Sequence, residues 1–191
     1  MNLIQYRTES GARAVAAIEN GQGFELNGVT TTYELAQAAI ADGVGLAEMA
    51  QRKGLGRAIN RDAILAEGRM LPPVDHPDPA HLFVTGTGLT HLGSASTRDA
   101  MHKSDQAAAE APLTDSMKMF RMGLEGGKPA PGEIGVQPEW FYKGNGHTIA
   151  APGAALHSPS FADDAGEEPE IAGIYLIGDD GTPFRLGFAL S

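Results

Sequence analysis

Two glutamates, Glu168 and Glu170, flank Pro169 just before the apolar run IAGIYLI, and their spacing is the clearest chemical signal in the chain. In an extended strand, residues two apart point to the same face. Two carboxylates on one face suit a hard divalent cation such as Mg²⁺. Without a metal they repel each other, so one binds a proton or both stay solvated. The alternative is an acidic surface loop, because three more acidic residues crowd positions 163–167.

Two cationic side chains are candidates for holding an anionic substrate. Lys143 follows the aromatic residues 140–142 and precedes Gly144 and Asn145, so its ammonium lies at the end of an apolar strand and suits a substrate carboxylate. Lys143, Gly144 and Asn145 are therefore predicted to bind the substrate, and Lys143 is also a candidate catalytic residue. Arg98 lies in the tetrapeptide STRD and is a second candidate for an anion. The alternatives are a solvated terminal lysine and a surface ion pair in the first turn of a helix.

Histidine supplies the candidate base. None of the six histidines has the i, i+4 spacing of a zinc-binding helix. His91 is singled out because it follows the glycine-rich segment 85–88, which is predicted to be a turn after a buried strand, and loops carry much of the chemistry of enzymes. His91 also occupies the third glycine position of a G-x-G-x-x-G motif, so the segment does not fit a dinucleotide-binding turn.

Short elements alternate in the first seventy residues. Residues 13–19 and 24–26 are predicted strands joined by the turn Asn20-Gly21-Gln22-Gly23. Thr31 and Glu34 have capping-box spacing, which predicts a helix that ends near Gly43. Residues 46–53 and 61–67 predict two more helices. Residues 1–70 are therefore interpreted as a small N-terminal α+β domain.

Residues 71–79 contain four prolines, which favour extended backbone and predict a linker and domain boundary. In residues 80–191 we predict strands at 82–84, 140–143, 171–177 and 184–190, with helices at 96–109 and 114–122. Residues 178–181 predict the turn of a terminal hairpin. Because the sequence stops in the apolar run GFALS, we expect a chain cut within a domain.

Composition excludes several classes of protein. The formal charge is −10, which disfavours nucleic acid and anionic membranes as partners. The absence of cysteine excludes disulfides and thiolate chemistry. The N-terminus has no secretory apolar segment and no stretch is long enough to span a membrane, so we expect a cytoplasmic protein.

Taken in order, several segments resemble the fumarylacetoacetate hydrolase superfamily, and within it the 2-keto-3-deoxy-pentonate dehydratase-like branch of sugar-acid catabolism. The likeness covers nearly the whole chain. It is carried by the opening segment RAVAAIENG to TTYELAQAAI, by GTGLTH, STRD, PEWFYKGNG and APG, and by EEPEIAGIYLIGDDGTPFRLGFALS at the end. The E-x-E pair with an aromatic-Lys-Gly segment about 25 residues earlier is its most specific part.

The resemblance implies an α+β fold, with the small N-terminal domain followed by an incomplete mixed β-roll at residues 80–191. It implies Mg²⁺ or Mn²⁺ held by Glu168 and Glu170, with Lys143 near the substrate. His91 and Arg98 match the loop after the first strand of the roll. The implied activity is that of a lyase, the dehydration of a 2-keto-3-deoxy sugar acid through a metal-stabilised enolate, in a protein that is a homodimer at full length.

Two alternatives remain at this level. The same chemistry serves C–C hydrolases, decarboxylases and isomerases acting on acylpyruvate-type 2-keto acids. The family also completes its metal site with a third acidic residue further along, whereas no acidic residue follows Asp180 here. A truncated relative without activity is therefore the other reading.

Overall fold

The computed structural model of the chain describes residues 1–88, 114–136, 140–163 and 169–191. In these residues the protein has mixed α+β structure, with several small antiparallel sheets and few helices, as expected for the fold class. The strands are β1 (Asn2–Arg7), β2 (Arg13–Glu19), β3 (Gln22–Leu26), β4 (Leu55–Ile59), β5 (Phe83–Thr87), β6 (Trp140–Asn145), β7 (Ile171–Ile177) and β8 (Pro183–Leu190). The helices are α1 (Thr32–Ala41), α2 (Leu46–Lys53), α3 (Arg61–Ala66) and α4 (Asp115–Gly126), with 3₁₀ turns at Pro79–His81 and Gly146–Thr148.

The chain divides into two compact units, residues 1–82 with 146–191, and residues 83–145. Residues 1–70 form a four-stranded antiparallel sheet in the order β1-β2-β3-β4, together with α1, α2 and α3. The turn between β2 and β3 has positive φ at both Asn20 and Gly21, the backbone that a two-residue hairpin of the right twist requires. The predicted strands at 13–19 and 24–26 and the three predicted helices are present, although the strand at 24–26 begins at Gln22. Strands β1 and β4 were not predicted.

Strand β2 is the centre of the first unit because both of its faces are covered. Val15 and Ala17 point to a cluster that includes Leu35 of α1 and Met49 of α2. The alternate residues of β2, Ala14 and Ala16, belong to a second cluster whose other members are Tyr6, Ile64 and Met70. The strict period of two in β2 thus distributes its side chains between two apolar layers.

Helix α1 begins and ends at the residues that the sequence predicts. The hydroxyl of Thr31 accepts a hydrogen bond from the backbone N–H of Glu34 at 3.0 Å. At the other end, Gly43 has φ of 66° and donates to Ile40 O, while Val44 N donates to Ala39 O. These two bonds form a Schellman motif, which satisfies carbonyls that the last turn leaves open.

The proline-rich segment lies against the first sheet. Leu71 N donates to the carbonyl of Gln5 at 2.9 Å, and the Gln5 side chain donates to Pro72 O at 2.7 Å. Further along, both carboxylate oxygens of Asp75 accept from Arg13 at 2.7 and 2.8 Å. Residues 70–75 are therefore attached to β1 and β2, and the assignment of residues 71–79 as a domain boundary stays a prediction.

In the second unit, β5 and β6 form a two-stranded antiparallel sheet. The helix predicted at 114–122 is present as α4, with Thr114 as its N-cap and its last turn extending to Gly126. The predicted turn at residues 85–88 is wrong for residues 85–87, which belong to β5. Gly86 faces Phe141 in the ladder, and a Cβ at Gly86 would lie 2.5 Å from Phe141 Cζ. The glycine lets an aromatic ring of the neighbouring strand lie over the backbone, which is a strand role for glycine and not a turn role.

Strands β7 and β8 form the predicted terminal hairpin. The β-roll to which these strands were assigned stays a prediction. No helix in the described part of the chain is long and apolar enough to cross a membrane.

Candidate functional site

Lys143 lies at an irregularity of the β5–β6 ladder. Tyr142 pairs with Thr85 and Gly144 pairs with Val84, so Lys143 is the extra residue of a β-bulge. Gly144 has φ of 148°, a backbone conformation that side chains rarely adopt, and this explains why a glycine follows the lysine. Bulges occur beside active sites, where they change the direction of a side chain. The sequence predicts the strand here and not the bulge.

The cation of Lys143 lies next to an aromatic ring on the same strand. Its Nζ is 5.8 Å from the ring centroid of Phe141, within the range of a cation–π contact. Its Cε would also contact a Cβ placed on Gly86, at 2.9 Å. Lys143 and Phe141 therefore both lie over Gly86. Lys143 is exposed, Gly144 is buried and Asn145 is half-buried, so these three predicted substrate-binding residues share one strand end.

The other face of the β5–β6 sheet is aromatic. Thr85 pairs with Tyr142 and Thr87 with Trp140, and the ring of Phe83 contacts Tyr142 edge to face at 6.3 Å. The side chains of Trp140 and Phe83 are exposed to 64% and 69%. Strand β6 was predicted as an apolar strand, but its aromatic side chains are exposed to solvent.

Glu170 extends the β7–β8 hairpin by one residue pair. Its N–H donates to Ser191 O at 2.8 Å, and Ser191 N donates back to Glu170 O at 3.0 Å. The exposed carboxylate thus lies at the end of a ladder, as expected for a residue directly before the strand. Its predicted partner, Glu168, lies outside the described residues. Among the described residues, no three His, Asp or Glu side chains gather as they would around a metal ion.

The two remaining predicted residues, His91 and Arg98, also lie outside the described residues. The structure therefore brings together Lys143, Gly144 and Asn145 in one unit and places Glu170 in the other. The metal pair and the candidate base stay predictions.

A partly buried polar cluster in the first sheet was not found from the sequence. The Tyr6 hydroxyl donates to Glu25 Oε2 at 2.6 Å, and Arg57 Nε donates to the same oxygen at 2.9 Å. Burial, together with the hydrogen bond to the Glu25 carboxylate, raises the pKa of Tyr6 to about 12. The Tyr6 hydroxyl and, to a lesser degree, Arg57 lower the pKa of Glu25. The sequence predicts neither β1 nor β4, which carry Tyr6 and Arg57, so it gives no signal for this cross-strand cluster.

Glu25 and Arg57 also line a surface depression of about 460 Å³, to which Arg13 and the backbone near Gly28 contribute. Both arginines already bind carboxylates, Arg57 that of Glu25 and Arg13 that of Asp75. The charges in the depression are therefore largely paired, which makes it a poor match for a strongly anionic ligand.

The segment before β5 contains a second cluster, which the sequence analysis did not single out. His81 Nδ1 lies 2.8 Å from Asp78 Oδ2, and the rings of His76 and His81 have centroids 5.3 Å apart. The spacing His-x-Asp-x-x-His, with a proline before and after the aspartate, is the sequence pattern that could have indicated this cluster.

Comparison of this chain with family models, with curated proteins and with solved structures gives no match.

Proposed function

We propose that this chain is a divalent-metal-dependent lyase of the fumarylacetoacetate hydrolase superfamily, acting on a 2-keto-3-deoxy sugar acid by removal of water. In this proposal, the sheets from β5 to β8 are part of a mixed β-roll of that superfamily, and the full-length protein is a homodimer. The observation that carries the proposal is the ordered series of motifs from GTGLTH to EEPEIAGIYLIG.

The donor chemistry of the proposed metal site fits a hard cation. Glu170 offers an exposed carboxylate at a ladder end, and Mg²⁺ prefers carboxylate oxygens and keeps several waters. Glu168 is the second proposed ligand. When bound, a divalent ion acts as a Lewis acid and withdraws charge from the 2-keto group of the substrate, which makes its C3 proton more acidic.

Lys143 and Arg98 are proposed to orient the substrate. The ammonium of Lys143 suits a carboxylate or hydroxyl group, and the bulge at Lys143 determines the direction in which that side chain leaves β6. Asn145, at the end of the same strand, adds an amide that both donates and accepts hydrogen bonds.

His91 is proposed as the base. It takes the C3 proton, the electron pair of that bond forms the new double bond, and the neighbouring hydroxyl leaves as hydroxide. The proton on His91 and this hydroxide together make up the water that is lost. A positioned general base contributes about 10²–10⁴-fold to the rate.

The test is a thermal melt of this chain with and without millimolar Mg²⁺ or Mn²⁺, followed by addition of pyruvate as a minimal 2-keto acid. A ligand that binds only the folded state stabilises it by about 2.7 kcal/mol at 100 times its dissociation constant. We expect a shift with metal that grows with pyruvate. Glu170→Gln should abolish it, whereas Glu133→Gln, an exposed glutamate of the other unit, should not.

No shift, or an equal shift in Glu170→Gln, would contradict the metal assignment. The reaction itself is tested by incubation with a panel of 2-keto acids and measurement of product mass. Loss of one water supports dehydration, whereas cleavage into two fragments, loss of carbon dioxide or an unchanged mass would favour the hydrolase, decarboxylase or isomerase alternatives. A metal shift without any turnover would favour an inactive relative.

A further inference from the structure

Two histidines and one aspartate form a compact group in the segment that leads to β5. His76 and His81 are ring neighbours, with centroids 5.3 Å apart and planes inclined by 33°. Asp78 lies between them in sequence and begins the 3₁₀ turn Pro79–His81, where its Oδ1 accepts from Ala80 N at 3.0 Å. The group belongs to the first unit, and it uses none of the residues assigned to the proposed reaction.

Asp78 orients both imidazoles through their Nδ1 atoms. Its Oδ2 lies 2.8 Å from His81 Nδ1, and its backbone carbonyl lies 2.8 Å from His76 Nδ1. The backbone N–H of Asp78 also lies 3.0 Å from His76 Nδ1, so that ring binds Asp78 in either tautomer. In the tautomer with the proton on Nδ1, each ring donates to Asp78 and each Nε2 has a lone pair for a metal ion. Among the described residues, neither Nε2 has a hydrogen-bond partner. Metal-binding histidines usually show this arrangement, in which the second ring nitrogen donates to a carboxylate or a backbone carbonyl.

The group is held to the sheet on one side. The ring of His76 contacts Tyr33 of α1 edge to face, with centroids 4.8 Å apart. The neighbouring Asp75 binds Arg13 of β2 through both carboxylate oxygens. The backbone that carries the two imidazoles is thus attached to the first sheet and to α1, which reduces the entropy lost when they bind one ligand.

The separation of the two ring centres is the size that a tetrahedral ion requires when both Nε2 atoms point to it. A Zn–N bond of about 2.0–2.1 Å places the centre of an imidazole about 3.2 Å from the ion, so two such rings at the tetrahedral angle have centres about 5.2 Å apart. The observed separation is 5.3 Å.

We propose that His76 and His81 bind one divalent transition-metal ion, Zn²⁺, Ni²⁺ or Cu²⁺, through their Nε2 atoms, with water completing the coordination. Imidazole selects these metals over Mg²⁺, which prefers oxygen ligands. Asp78 is a positioning residue, since both of its carboxylate oxygens already accept hydrogen bonds. The site has two protein ligands, which agrees with the absence of a three-residue group among the described residues.

The first experiment is a titration of the unmodified chain with Cu²⁺, followed by two-dimensional ¹H–¹⁵N spectra. Paramagnetic broadening should appear first at the amides of the five non-proline residues of 76–82 and at Tyr33, whose ring contacts His76. This measurement needs no variant. Broadening that begins elsewhere and leaves these amides sharp would overturn the proposal.

The second experiment is calorimetric titration with Zn²⁺ of the unmodified chain, His76→Ala and His81→Ala. Each substitution should weaken binding at least tenfold, and Asp78→Asn should weaken it by about 10–100-fold, the range found when a residue that orients a ligand is changed. His157→Ala removes an exposed histidine outside the group and should leave binding unchanged. No binding to the unmodified chain, or equal binding in all variants, would overturn the site.

These results are separable from the test of the proposed function. Glu170→Gln should leave Zn²⁺ binding at the histidines intact. His76→Ala should likewise leave the stabilisation by Mg²⁺ and pyruvate intact. Either proposal can therefore fail while the other stands.

Discussion

Replacement of Gln5 by methionine should destabilise the first sheet, because Gln5 connects three segments from a fully buried position. Its side chain is 0% exposed. The Oε1 atom accepts from Thr32 N at 2.7 Å, and Nε2 donates to Pro72 O at 2.7 Å and to Asp75 Oδ1 at 3.2 Å. Methionine has a similar volume, so the substitution removes these bonds without opening a large cavity.

The magnitude follows from what each partner loses. Thr32 is buried, so its N–H would remain unsatisfied, at a cost of about 1–3 kcal/mol. The bond to Pro72 O adds about 0.5–1.5 kcal/mol, since this carbonyl is partly open to water. We expect Gln5→Met to lower the free energy of unfolding by about 2–4 kcal/mol.

Native-state hydrogen exchange is the suitable assay because it reports the opening of each part separately. The amides of Ala16 and Ala17 lie in β2 and report the opening of the whole sheet. Leu71 N, which donates to Gln5 O, reports release of the proline-rich segment. Gln22→Met, at an exposed position of β3, is the matched control and should change stability by less than about 0.5 kcal/mol. If Gln5→Met changed the free energy of unfolding as little as this control does, the hydrogen bonds of Gln5 would not stabilise the sheet.

Three further predictions concern single sites. Gly86→Ala should destabilise the second unit by about 0.5–1.5 kcal/mol, because the new Cβ would lie 2.5 Å from Phe141 Cζ and the half-exposed ring would have to leave its rotamer. Gly123→Ala in α4 has open space and should stabilise the unit by about 0.5–1 kcal/mol. Urea unfolding should show opposite signs for the two variants, and equal signs would refute the packing argument. Thr31→Ala should lower the free energy of unfolding by about 1 kcal/mol through loss of the α1 cap, measured by thermal or urea unfolding, and an unchanged midpoint would mean that the cap is not needed. The pKa of Tyr6 is raised to about 12, so its neutral form contributes its full stability below the unfolded pKa near 10, and this stability is lost as the pH rises towards 12. Ultraviolet titration should show a tyrosine step near pH 12 that Tyr6→Phe removes. Persistence of that step in the variant would assign it to another tyrosine.

Local patterns were sufficient where the interactions are local. The α1 cap and the stop at Gly43 depend on residues within one turn of each end, so the sequence predicts both. The hairpin turns at Asn20-Gly21 and at residues 178–181 also depend on neighbouring residues, so the sequence predicts them as well. Strand β4 was missed because it is almost entirely exposed, so it shows no apolar alternation, and its place beside β3 depends on pairing across about thirty residues.

The proline-rich segment shows where local reasoning ends. Four prolines predict extended backbone, but they do not indicate what the segment lies against. Its attachment depends on Gln5 and Arg13, which are more than sixty residues away in sequence. A buried glutamine in β1 and an arginine in β2 read as ordinary strand residues until the segment is folded back on them.

For the candidate site, the sequence by itself determined which residue types are available: two glutamates two apart, a lysine followed by glycine at the end of an aromatic strand, and histidines around an aspartate. These follow from composition and spacing alone. Only the tertiary structure decided that Lys143 occupies a bulge, that Gly86 accommodates the ring of Phe141, and that Asp78 contacts two imidazoles whose centres are 5.3 Å apart. The reason is physical: spacing along a chain sets the face on which a side chain lies, whereas distances between side chains depend on register, bulges and packing, which are collective properties of the folded chain.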